Sequence, residues 1–143
     1  MKKITLLIVP VILIAFSACQ SKETPKTESE ATDQPAIVRN ISAQDAKALL
    51  AEAPADGEKT PLLIDVREPD EFASGHIPDS INVPLGNVLD GLNNLELEKD
   101  APVMLYCRSG RRSAEAAQTL LDAGYTNVYD LGGIIDWPYD TVK

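Results

Sequence analysis

From residue 37 onward, short apolar runs alternate with stretches of helical spacing, and this alternation narrows the possible folds more than any other feature. The runs "AIVRNI", "LLIDV", "INVP", "APVMLYC" and "NVYDL" are too short for helices and are bounded by turn residues. Between them, Leu85, Val88, Leu89, Leu92 and Leu95 recur at helical spacing, and "SAEAAQTLLDAGY" reads as a helix ending at Gly124. Ser42 caps another helix, with Asp45 in its first turn and Ala46, Leu49 and Leu50 on one face. "EAPADGEKTP" reads as a loop, "REPDEFASGHIPDS" as mostly loop with a short helix from Pro69, and "GGIIDWP" as a turn with one short helix. Strands separated by helices need crossover connections, which make parallel sheets. "LLIDV" has the near-continuous apolar character of a strand covered on both faces. The expected fold is α/β: a five-stranded parallel sheet flanked by helices on both faces, occupying residues 37–143.

Residues 1–36 follow a different pattern. "MKKITLLIVPVILIAFSA" has two lysines, an apolar run and small residues, the three parts of a secretory signal peptide. The run from Ile4 to Phe16 contains Pro10 and is shorter than the about 20 residues of a membrane-spanning helix. "FSAC" resembles the lipobox of bacterial lipoproteins, with Phe16 where leucine is usual. That resemblance implies cleavage before Cys19 and a lipid on its thiol. Residues 1–18 are therefore expected to be a lipoprotein signal peptide. Residues 19–36, with no large apolar side chain in "QSKETPKTESEATDQPA", are expected to be a disordered tether. The expected location is the cell envelope, anchored to a membrane and facing the periplasm or exterior. Loss of Lys2 and Lys3 with the signal takes the formal charge from −9 to −11, which argues against nucleic acid and against electrostatic docking on anionic lipid.

With Cys19 lipidated, Cys107 is left as a lone thiol in an oxidising compartment, where a thiol is a liability unless buried or employed. It opens "CRSGRRSAEAA", which places three arginines, at 108, 111 and 112, within five residues of one cysteine in an acidic chain. The strand is expected to stop at Cys107 and a helix to start near Ser113. Gly110 gives the intervening loop the freedom for a tight turn. Backbone N–H groups of such a loop form an anion-binding nest, and the helix adds its positive end. Cys107 is thus the candidate nucleophile, with Arg108, Ser109, Gly110, Arg111 and Arg112 as the anion cradle. On this reading the cations hold the sulfur as thiolate.

"LIDVREPDEFASGHIPDSINVPL", "YCRSGRRSAEAAQTLLDAGYTNVYDLGG" and the nearby Trp137 resemble the rhodanese homology domain over nearly all of residues 37–137. The resemblance implies a rhodanese-like sulfurtransferase that takes a sulfane sulfur as a persulfide on Cys107. The implied partners are a small anionic donor such as thiosulfate and a thiol or cyanide acceptor. Asp65 and Arg67, in "DVRE", match a family motif beside the active loop. Asp65, at a strand end, is placed to hold loop N–H groups or Arg112, and structural pairing is the role favoured for both. Asp79 and Ser80 stand where the family usually has glycine and alanine, and little consequence is expected of either. His76 in "GHIP" reads as a hydrogen-bonding loop position, because an already ionised thiol needs no base.

Neither a metal nor a nucleotide cofactor is expected, since the sequence carries no His/Cys cluster and no glycine-rich phosphate motif. Cysteine-dependent phosphatases are the rival enzyme class. They use Cys-x5-Arg, whereas Cys107 to Arg112 is Cys-x4-Arg and residue 113 is serine. The other alternative is non-enzymatic: a lipid-anchored persulfide carrier or an interaction and redox module. A monomer is expected in either case.

Overall fold

The computed structural model describes residues 36–51 and 59–143. The signal peptide, Cys19, the tether and most of the "EAPADGEKTP" loop lie outside the described residues. Among the described residues there are five strands: β1 (Ile37–Asn40), β2 (Leu62–Asp65), β3 (Ile81–Asn82), β4 (Val103–Cys107) and β5 (Asn127–Gly133). They form one sheet in the order β1-β5-β4-β2-β3, and every pairing is parallel. The helices are α1 (Ala43–Ala51), α2 (Pro69–Ser74), α3 (Val88–Asn94) and α4 (Arg111–Asp122), with single tight turns at Leu85–Asn87 and Ile134–Asp136. The five-stranded parallel α/β architecture read from the sequence is the one observed. Ser42 caps α1 as expected, its hydroxyl oxygen accepting the Asp45 N–H at 3.1 Å.

β4 is the centre of the sheet, and all five of its residues are buried. Its side chains alternate between faces with the strand period of two. Val103, Leu105 and Cys107 belong to one core with Val88, Leu92, Ala116, Ala117 and Leu120, from α3 and α4. Met104 and Tyr106 belong to a second core with Ala46 of α1, Leu63 and Ile77. Cys107 therefore enters the α3/α4 side while its neighbour Tyr106 enters the other.

Two departures from the sequence reading matter for the site. α4 begins at Arg111 rather than near Ser113, so the connecting loop is only Arg108–Gly110. β5 runs past "NVYDL" to Gly133, and its register against β4 shifts: Leu105 pairs with Asp130, but Tyr106 pairs with Gly132 and Cys107 with Gly133. The extra residue, Leu131, is a bulge. The Asp130 carboxylate accepts the Gly132 N–H at 2.9 Å across it. The bulge brings two glycines level with the end of β4.

The tail adds order beyond the expected short helix. His76 and Val142 exchange backbone N–H···O bonds of 2.8 and 2.9 Å, an antiparallel bridge at the end of α2.

Candidate active site

β4 delivers Cys107 to the carboxyl end of the sheet, where parallel α/β folds place their ligands. Gly110, at φ 94°, turns the chain back in a left-handed conformation that favours glycine. Its N–H donates to Cys107 Sγ at 3.1 Å. The first turn of α4 follows at once, and its Ser113 N–H joins that of Gly110 at the sulfur. Ser113 locks helix to loop: its hydroxyl donates to the Gly110 carbonyl at 3.0 Å, with the Gly132 carbonyl at 3.3 Å.

Gly133 supports the loop from β5. A Cβ there would fall 2.7 Å from the Arg108 carbonyl oxygen and 2.8 Å from Ser109 Cα, so only glycine lets the strand approach this closely. The Ile135 N–H then donates to the Arg108 carbonyl at 3.3 Å. The role of these glycines escaped the sequence reading, although two in succession after an apolar strand are a signal of close backbone approach.

The thiol's acidity follows from this geometry. Burial pushes the Cys107 thiol up, but N–H groups of Ser113, Ser109 and Gly110, with the Ser113 hydroxyl, outweigh it. The net shift is below the ordinary thiol value. Dipoles of the loop and helix supply that stabilisation.

Here the expected convergence of three arginines is corrected. Arg112 is turned to Glu71 of α2, with Nη1–Oε2 at 2.6 Å and Nη2–Oε1 at 2.8 Å. This two-pronged bond holds the Glu71 carboxyl down at about 2 and raises the Arg112 guanidinium above its usual range. Arg111 points to solvent and leans on Glu115 at 3.5 Å. Arg108 is exposed. The cations rim the loop, and one of the three is neutralised.

Asp65 reaches neither Arg112 nor the 108–110 loop. It accepts the Arg67 backbone N–H at 2.9 Å and the Arg67 guanidinium at 2.6–2.9 Å, and that guanidinium also donates to the Gly75 carbonyl at 2.7 Å. The pair sits near the Tyr106 ring. Structural pairing describes both residues in this geometry.

His76 occupies the expected hydrogen-bonding position, its ring Nδ1 3.1 Å from the Phe72 carbonyl and its plane stacked on the Phe72 ring. Asp79 adopts φ 63°, a conformation Asp tolerates better than most residues. Ser80 has more consequence than expected. It is buried, donates to the Ile77 carbonyl at 2.6 Å and lies 2.9 Å from the Tyr106 hydroxyl, which itself accepts the Ile77 N–H. Ser80 gives a fully buried tyrosine hydroxyl an acceptor that alanine would lack.

The fold agrees with the comparisons. Residues 42–138 match the family model for the rhodanese-like domain, and the chain belongs to that family. It is 44% identical over 89 residues to a sulfurtransferase of Allochromatium vinosum, covering 62% of this chain and 80% of that one. A thiosulfate sulfurtransferase of Escherichia coli is 36% identical over 80 residues, covering 56% of this chain and 77% of its own length. The solved structure described as a rhodanese with anions from E. coli superposes with a TM-score of 0.55 at 35% identity, over 58% of this chain and 98% of that one.

Proposed function

We propose that this protein is a sulfurtransferase that moves a sulfane sulfur from a donor such as thiosulfate to a thiol or cyanide acceptor through a persulfide on Cys107. The observation that carries the reading is Cys107 Sγ at the end of β4, 3.1 Å from the Gly110 N–H and backed by the first turn of α4. The names of the relatives support sulfur transfer in general terms.

The thiolate attacks the outer sulfur of thiosulfate. The donor's S–S bond breaks, sulfite departs with the bonding pair, and a new S–S bond forms on Cys107. One negative charge leaves the thiolate and reappears on the outer persulfide sulfur. An acceptor thiolate or cyanide then attacks that sulfur, and the Cys107 thiolate is regenerated. No external oxidant or reductant is needed. The backbone donors that lower the thiol pKa also solvate the persulfide anion, so one cradle serves both half-reactions. Arg108 and Arg111 act as an outer basic rim that attracts the anionic donor.

Intact-mass measurement after incubation with thiosulfate tests the reading. Cys107 in the wild type should gain one sulfur atom, and Cys107→Ser should gain none while keeping its circular-dichroism spectrum. Absence of the adduct in the wild type, with every donor tried, sinks the proposal. Turnover in excess thiosulfate and cyanide separates a catalyst from a non-enzymatic carrier.

The same reading extends to the N-terminus on the strength of "FSAC". Cys19 carries lipid, and residues 19–36 tether a monomeric domain to a membrane of the cell envelope. Cys19→Ala should abolish lipidation and move the protein out of the membrane fraction. Recovery of the wild type as an unmodified soluble chain would end that part of the proposal.

A further inference from the structure

The one arginine of the cradle held by a two-pronged contact is already occupied. Glu71 takes both terminal nitrogens of Arg112, and the shift of the Glu71 carboxyl to about 2 keeps the pair ionised at any pH near neutrality. The remaining arginines stand at the rim: the Arg111 side chain is 80% exposed, and Arg108 is also exposed. What donates to the sulfur is neutral, namely N–H groups of Ser109, Gly110 and Ser113, and the Arg112 guanidinium that also feels the sulfur's charge is held by Glu71. Such a wall accommodates a single negative charge on Cys107 sulfur. A dianionic donor adds two more beside it, with no free guanidinium of the inner wall to offset them.

We propose that Glu71 is a specificity-determining residue which, by neutralising Arg112, biases Cys107 against dianionic donors such as thiosulfate and towards persulfides of small or protein thiols. This rests on the sulfurtransferase reading above. With a persulfide donor R–S–SH, the thiolate attacks the outer sulfur, the donor's S–S bond breaks, and R–S⁻ leaves with the electron pair. Cys107 is left as Cys–S–SH, and its proton passes to R–S⁻ or to water. No electrons are gained or lost overall. The charge accumulating at the loop is smaller than with thiosulfate, which is the difference the neutral cradle discriminates.

Glu71→Gln tests this cleanly, because glutamine retains an acceptor for Arg112 and fits the N3 position of the α2 capping box with Glu68. It removes charge with little change of shape. Using the full chain, the rate of Cys107 persulfide formation is measured by mass against concentration of thiosulfate and, separately, of cysteine persulfide. In Glu71→Gln the thiosulfate-to-persulfide ratio of second-order rates should rise about tenfold. The rise should come from a lower half-saturating thiosulfate concentration rather than a higher limiting rate. An unmoved ratio, or an equal loss with both donors, overturns the inference and leaves Glu71 as a loop support.

If Glu71→Gln does not fold alone, Arg112→Gln and the double variant decide. The uncompensated Glu71 of Arg112→Gln should lower the ratio, and adding Glu71→Gln should restore much of it. A double variant as poor as Arg112→Gln would mean that Arg112 itself binds donor, contrary to the proposal. Failure of both donors to modify Cys107 in the wild type would remove the sulfurtransferase reading, and this inference with it. Modification by both with an unmoved ratio removes only the role of Glu71.

Discussion

Two arginine–carboxylate pairs, Arg67–Asp65 and Arg112–Glu71, have opposite characters. Arg67–Asp65 is shut inside the protein, with side chains 6% and 0% exposed. Arg112–Glu71 has the same 2.6 Å contact but is 21% and 29% exposed. The first joins residues two apart and braces the turn after β2, where Asn82 also donates to the Asp65 and Arg67 carbonyls at 3.0 and 2.8 Å. The second joins residues 41 apart across the rim of the sulfur loop. Equal geometry gives unequal roles because solvent decides what happens when a partner is lost. A buried carboxylate without its guanidinium has nowhere to turn, whereas a half-exposed one regains water.

The largest expected effect follows directly. Arg67→Ala leaves Asp65 buried and unpaired, and should cost about 3–5 kcal/mol of stability. Arg112→Ala should cost about 1 kcal/mol or less. Urea denaturation of both variants checks the contrast. Equal losses would break it and show that solvent access does not separate the two pairs.

A smaller effect appears on the acid side. The Arg112 hydrogen bond lowers the Glu71 carboxyl from an ordinary 4.5 to about 2. A depressed folded-state value adds stability that is complete above the unfolded value and fades as pH falls from about 4.5 to about 2. Glu71→Gln should flatten the wild-type stability decline in that window and leave the neutral region nearly parallel. Denaturation midpoints at closely spaced pH values read this directly. An unchanged acid limb would show that the pair is too well solvated to be linked to folding.

This contrast between pairs also marks the limit of what the sequence discloses. The strand pattern, Cys107 at a strand end and the glycine turn were legible because each depends on neighbours in the chain. Ser113, near which the sequence starts the helix, lies two residues inside α4. Its hydroxyl bonds back to Gly110 from inside the helix, while Gly110 occupies the cap position in a left-handed conformation. Glu71 could not be found as the partner of Arg112, because "REPDEF" offers several acids and only the fold selects one. Three arginines beside a cysteine looked convergent for a related reason. Sequence proximity fixes where their Cα atoms are, but long flexible side chains go where carboxylates and water draw them.

The smallest expected effect asks what tunes the sulfur if the arginines do not. The N–H groups of Ser113, Ser109 and Gly110 cannot be deleted by changing a side chain, but the Ser113 hydroxyl can. Ser113 is buried, and besides its part in lowering the thiol it ties the Gly110 carbonyl to α4. Ser113→Ala removes that tether and the hydroxyl dipole beside the sulfur, so the Cys107 pKa should rise, while the backbone donors keep most of the lowering. Arg111→Gln should move it less still, since that charge stands in solvent, where salt screens it. The measurement is the pH dependence of iodoacetamide alkylation, followed at Cys107 by mass spectrometry. The sign is fixed: reaction needs thiolate, so a raised pKa shifts the alkylation curve to higher pH. A larger shift from Arg111→Gln than from Ser113→Ala would return the tuning to the arginine rim and take it away from the loop's own backbone.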